Sequence, residues 1–101
     1  LSTIYLNIPK KINAKKIYDK LKKFYNNSQF IKIAEFDSAI STNDVINSNN
    51  CLISICKTKY KDKIIILSAI DNLIKGGAGQ GVQNMNIIYK FPESRGLLWK
   101  K

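Results

Sequence analysis

The chain contains no histidine, and its 101 residues include only two cysteines, two prolines and seven acidic side chains. Without imidazole, Ser-His and Cys-His dyads, histidine metal sites and the usual proton carrier near neutral pH are all excluded. Cys51 and Cys56 match no metal-ligand spacing and read as small buried hydrophobes. No apolar run approaches the roughly 20 residues that span a bilayer. The opening LSTIYLNIPKK puts a short apolar strand before its lysines, the reverse of a secretory signal. The expectation is a cytoplasmic protein with no membrane partner. A first residue that is Leu rather than Met suggests a processed, trimmed or fragmentary chain.

Basic residues dominate what is present: 17 Lys+Arg against 7 Asp+Glu, for a formal charge of +10. A hydrophobic content of 45% places the chain among globular proteins, and residues 1–101 are expected to form one domain. Such a charge invites a nucleic-acid reading through counterion release. Against it, only Arg95 is an arginine, the type suited to bidentate phosphate or base contacts, and no nucleic-acid motif is visible. The lysines also travel with Ile and Asn, as an AT-biased coding sequence produces. The lysines of the first helix read as a solvated face.

Residues 2–8 alternate Thr3, Tyr5, Asn7 with Ile4, Leu6, Ile8, the period of a half-buried strand, and Pro9 ends it. Asn13 is a good N-cap, and Ile17, Leu21 and Phe24 share one helical stripe, predicting an amphipathic helix over 13–25. Residues 29–34 read as a short strand. Residues 37–50, rich in Ser, Thr, Asn and Asp, read as an irregular loop. Residues 52–57 and 63–70 read as strands of a hairpin, the second a central one because Ile64–Leu67 is continuously apolar. After the cluster 76–81, Val82, Met85, Asn86 and Tyr89 fall at helical spacing, predicting a helix over 78–89 that Pro92 follows. The tail, residues 93–101, reads as loosely held.

The glycine cluster Gly76-Gly77-Ala78-Gly79-Gln80-Gly81 marks a special backbone site. It is not a dinucleotide fingerprint: counted from Gly77 and Gly79, Val82 stands where glycine is required, and no second parallel strand follows the helix. It is not a phosphate-cradling P-loop, because Lys75 precedes the glycines. Two readings remain on spacing: a helix start packed closely on a neighbour, or backbone N–H groups offered to a polar ligand.

The segment 68–86, SAIDNLIKGGAGQGVQNMN, with Pro92-Glu93-Ser94-Arg95-Gly96-Leu97 after it, resembles the C-terminal signature of the N-acetyl-gamma-glutamyl-phosphate reductases. That family of NADPH-dependent semialdehyde dehydrogenases of arginine biosynthesis commonly reads D-N-L-x-K-G-A-A-G-Q-A-V-Q-N-M-N here, then P-E-x-x-G-L. The resemblance extends upstream through residues 1–6, the first helix, residues 41–45 and residues 48–51. Gly77 and Gly81 depart from it, standing where alanine is common.

The resemblance implies an α+β fold: a mixed, mostly antiparallel sheet with helices on one side, part of a catalytic/dimerisation domain. Residues 1–70 would form the sheet and helix, and 71–92 the glycine turn and terminal helix. The family's nucleotide-binding domain, nucleophilic cysteine in a G-C-Y-P-type motif and histidine base match nothing in this chain, so neither Cys51 nor Cys56 takes the nucleophile's role. The parent reaction would be reduction of N-acetyl-glutamyl 5-phosphate to the semialdehyde, with this fragment inactive alone. Gly79, Gln80, Gln83 and Asn84 match the helix start that approaches NADP in the family, and Asn and Gln amides complement a nicotinamide carboxamide. Capping or bracing of the turn is the alternative for Gln83 and Asn84. On the same resemblance residues 41–50 would border the acyl-phosphate site, with a satisfied surface loop as the alternative reading. The implied partners are the missing nucleotide-binding domain and a second copy in a homo-oligomer. A stand-alone interaction module and a basic nucleic-acid binder are the competing classes.

Overall fold

The computed structural model describes residues 1–98. Four strands, β1 (Ser2–Asn7), β2 (Ile31–Ile33), β3 (Cys51–Lys57) and β4 (Lys63–Ile70), form one sheet in the order β1-β4-β3-β2. β4 pairs antiparallel with both β1 and β3, whereas β2 runs parallel to β3. Two helices complete the fold, α1 (Ala14–Phe24) and α2 (Gly79–Ile88). This is the expected mixed, mostly antiparallel α+β architecture.

The predicted hairpin is present, with the continuously apolar run in the central strand β4. Thr58 Oγ1 closes its turn, accepting from Tyr60 N–H at 3.1 Å and donating its one proton to the Lys63 carbonyl at 2.8 Å. Asn13 Oδ1 caps α1 by accepting from Lys16 N–H at 2.9 Å, satisfying one of the helix's orphan donors. The apolar stripe of α1 then lies on the sheet. Ile8, Ala14, Tyr18, Ile55 and Ile64 form the buried cluster, with Ile17, Leu21, Phe36, Ile53 and Ile66 packed around it.

Because side chains alternate along a strand, Ser54 and Cys56 point to the face opposite Ile53 and Ile55. There Ser54 Oγ and Cys56 Sγ both donate to the Ser38 carbonyl, so the β2–β3 connection guards that face. Both cysteines are free and half-buried. The connection is irregular, as expected, apart from one 3-10 turn at Thr42–Asp44. Ser41 caps that turn through its side chain, and Asp44 bonds back to Ser41 N–H at 2.8 Å.

α2 does not lie on the sheet face with α1; it stands at the end of the sheet where β4 finishes and β3 begins, beyond a turn at Ile74–Ala78. In that turn Gly76 N–H donates to Asp71 O and Ala78 N–H to Leu73 O, each five residues back, and the backbone kinks at Gly77, whose φ of −144° and ψ of −117° are not helical.

The expectation of a loosely held tail is corrected over its first residues. Asn86 Nδ2 donates to the carbonyls of Glu93 and Arg95 at 2.9 and 3.0 Å, and Leu97 is buried. The remainder of that expectation, residues 99–101, lies outside the described residues. No described helix is long and apolar enough to cross a membrane.

Candidate functional site

The glycine turn leads into α2 against a loop that is distant in sequence. Asn49, buried to 1% exposure, donates through Nδ2 to Gln83 Oε1 at 3.0 Å. Lys75 Nζ donates to the same oxygen at 2.7 Å, and Gln83 Nε2 donates to Glu93 Oε2 at 2.6 Å. Every polar atom of the Gln83 amide is therefore used within the chain. Lys75 also lies over the Phe30 ring, 5.5 Å from its centroid. Burial lowers the Lys75 ammonium's pKa below its ordinary value, while the neighbouring Cys51 and Glu93 oppose that shift.

Gly79 is where the turn passes closest to its surroundings. A Cβ there would fall 2.6 Å from the Ile74 carbonyl oxygen and 2.7 Å from Ile74 Cγ2, and closer still to Asn49 Oδ1. No real Cβ tolerates such contacts, so glycine at 79 is a packing requirement. Gly81 differs: nothing lies within 4 Å of a Cβ built on it.

The other two candidates face outward. Gln80 Nε2 donates to Asn84 Oδ1 at 2.8 Å, one helical turn away on α2. Among the described residues this leaves Gln80 Oε1 and Asn84 Nδ2 without a partner, an acceptor beside a donor. A primary carboxamide needs that complement. The four candidates thus divide: Gln80 and Asn84 present free amide atoms, while Gly79 and Gln83 hold the helix start in place.

Periodicity identified α2 but not the face it buries. Its buried residues are Gly79, Gln83 and Asn86, whereas Ile88 and Tyr89 are 72% and 67% exposed and Met85 and Ile87 are exposed as well. The inversion is possible because the Asn86 donor and the Gln83 amide find partners inside. Asn49 and Lys75, which complete the cluster, were missed by sequence reasoning. No local signal marks Asn49, since its partner lies 34 positions on.

Asp71 ties the same region together from the other side. Its carboxylate accepts from the N–H groups of Asn47 and Leu73, both at 2.9 Å, and of Ile74 at 3.3 Å. These bonds, that from Asn47 foremost, hold its pKa below the ordinary value of 3.8. Asp71, with Thr42, Asn43 and Ile46, lines a cleft of about 530 Å³ beside the 41–50 loop. No Lys or Arg lines that cleft, so it offers a phosphate one carboxylate and no cation. The expectation that this loop borders an acyl-phosphate site gains no support from it.

The family profile described as semialdehyde dehydrogenase, dimerisation domain, matches residues 1–72. An N-acetyl-gamma-glutamyl-phosphate reductase of Clostridium botulinum (strain Eklund 17B / Type B) is 48% identical over 97 residues, 96% of this chain and 28% of that protein. The protein of the same name from Karelsulcia muelleri (strain GWSS) is 48% identical over 102 residues, 99% of this chain and 29% of its own length. The one from Halothermothrix orenii is 37% identical over 97 residues. The chain spans less than a third of the curated relatives it matches. The resemblance read from residues 68–86 and their flanks is borne out, and the chain belongs to the semialdehyde dehydrogenase dimerisation-domain family.

Proposed function

We propose that this chain is the C-terminal part of the catalytic/dimerisation domain of a cytoplasmic, NADP-dependent N-acetyl-gamma-glutamyl-phosphate reductase. That enzyme converts N-acetyl-glutamyl 5-phosphate to the 5-semialdehyde in arginine biosynthesis. The observation that carries the reading is the similarity to reductases of that name at 37–48% identity over 96% or more of the chain. The chain supplies no candidate nucleophile or base, so it is inactive without the remainder of the enzyme.

Its contribution is to placement. Gln80 Oε1 and Asn84 Nδ2 suit the amide N–H and carbonyl of a nicotinamide carboxamide, and the fit is supported by their lack of other partners among the described residues. The nicotinamide supplies the hydride when NADPH is bound. Gly79 and Gln83 set where the α2 start stands relative to it. The exposed stripe Met85, Ile88 and Tyr89 offers an apolar face to the nucleotide-binding domain, and a second copy is the other partner, in keeping with a family described as a dimerisation domain.

The test is a chimera in which this chain replaces the matching C-terminal segment of the Clostridium botulinum reductase. Phosphate-dependent oxidation of the semialdehyde is assayed with NADP and with NAD. Activity with NADP supports the reading. A folded, dimeric chimera without it counts against the proposal, and activity with NAD alone overturns the cofactor assignment. In an active chimera, Asn84→Ala raises KM for NADP more than it lowers kcat.

A further inference from the structure

A concentration of positive charge lies at the end of the sheet away from α2. A cleft of about 490 Å³ opens between the start of α1 and the β3–β4 turn, and Lys10, Lys15, Lys57, Lys61 and Lys63 line it. No Asp or Glu does. These lysines come from two segments more than forty positions apart, so their meeting is a product of the fold and not of one basic run. Ala14 and Asn13, at the positive end of the α1 dipole, also line the cleft.

Two of the five ammonium groups are engaged. Lys15 pairs with Asp19 at 3.5 Å, and Lys63 donates to the neutral Asn7 Oδ1 at 2.9 Å. Lys10, Lys57 and Lys61 have no carboxylate partner among the described residues. Unpaired ammonium groups sharing a concave site repel one another, and a multivalent anion relieves that repulsion. Tyr60, 53% exposed, provides an aromatic edge at the same cleft.

We propose that this cleft binds a condensed phosphate chain, a triphosphate either free or carried by a nucleoside. The cleft falls within the range of roughly 300–1,000 Å³ typical of small-molecule sites, larger than one orthophosphate requires. Lysine ammonium groups are point charges that suit phosphate oxygens without demanding one geometry. An extended nucleic acid is the poorer match, because the charge is concave and local and Arg95 lies outside it. The site is separate from α2 by the length of β4, on the order of 20 Å at the usual strand rise. The inference does not depend on the reductase reading.

The test titrates the intact protein with tripolyphosphate, ATP and orthophosphate by calorimetry at about 50 and 200 mM salt. The expected result is saturable binding of one tripolyphosphate per chain. The variant Lys57→Gln/Lys61→Gln weakens it by about tenfold, while Lys20→Gln/Lys23→Gln, which removes equal charge from α1 outside the cleft, weakens it less than about twofold. Backbone amide shifts at Asn13, Ala14 and Tyr60 locate the ligand, and thermal melts confirm that all variants remain folded. ATP binding as tightly as tripolyphosphate identifies the phosphate chain as the ligand. Tighter ATP binding that Tyr60→Leu abolishes identifies a nucleotide. Equal losses in both lysine pairs, orthophosphate binding as tightly as tripolyphosphate, absence of saturation, or duplex DNA displacing tripolyphosphate with both pairs weakened alike would each overturn the proposal.

Discussion

Asn49 Nδ2 donates to Gln83 Oε1 across 3.0 Å inside the protein, joining the β2–β3 connection to the terminal helix. Gln83→Ala leaves the buried Asn49 Nδ2 unpaired, which costs about 1–3 kcal/mol, whereas Asn49→Ala leaves Gln83 Oε1 still accepting from Lys75 Nζ. In chemical denaturation Gln83→Ala is expected to lower stability by that amount and Asn49→Ala by less, about 1 kcal/mol. In a double-mutant cycle the combined loss is expected to fall short of the sum, because both changes break one bond. Full additivity would show that the bond carries no energy.

Two glycines of one helix should respond in opposite directions to the same substitution. Gly79→Ala places a methyl group against Ile74 and Asn49 and is expected to destabilise by about 1–3 kcal/mol. Gly81→Ala meets nothing and lowers the entropy of the unfolded chain, so a gain of about 0.5–1 kcal/mol is expected. Urea midpoints of the two variants decide the matter. It also follows that the alanine common at position 81 in the resembling family is compatible with this backbone.

Asp71 gives the fold an acid sensitivity whose sign is determined by its bonds. Its folded-state pKa is below the ordinary 3.8, so the unfolded chain binds protons more readily and the carboxylate's stabilisation is complete above that value. It is lost as pH falls through the lowered folded value. The difference in urea midpoint between the parent and Asp71→Asn is therefore expected to be widest near neutral pH and to shrink below about pH 4. A difference that stays constant with pH would exclude this origin.

The exposed stripe on α2 contributes little to the stability of this chain. Ile88→Ser and Tyr89→Ser remove side chains that touch little of this chain, and each is expected to change its stability by no more than about 0.5 kcal/mol. In the chimeric reductase the same changes are expected to lower the melting temperature and raise KM for NADP together. A large loss of stability in the chain itself would show that the stripe is part of its own core.

Much of the fold follows from short-range pattern. The i, i+4, i+7 stripe of Ile17, Leu21 and Phe24, the hairpin around residues 58–62 and the apolar run of β4 each reflect a local period acting on one element. The parallel pairing of β2 with β3 was not legible, because three residues carry too little period to declare a partner. At the candidate site, the glycine turn and its amides could be singled out, but not their division into outward and inward pairs. That division depends on Asn49, Lys75 and Glu93, which approach Gln83 only after the chain has folded back. The lysine cleft was equally hidden, since a composition count cannot distinguish charges that converge from charges that spread.

Among the described residues none of α2 belongs to the buried cluster that joins α1 to the sheet; the Asn49–Gln83 bond ties the helix to the β2–β3 connection, while Lys75 and Asn86 bond it to the segments on either side. Such bonds exchange readily with water once a crevice opens, whereas the Ile55–Ile64 cluster comes apart only with the whole domain. The chain is therefore built as two cooperative units of unequal strength. Amide protons of α2 should exchange through local opening well before those of β3 and β4, so α2 can detach and re-seat while the sheet stays intact.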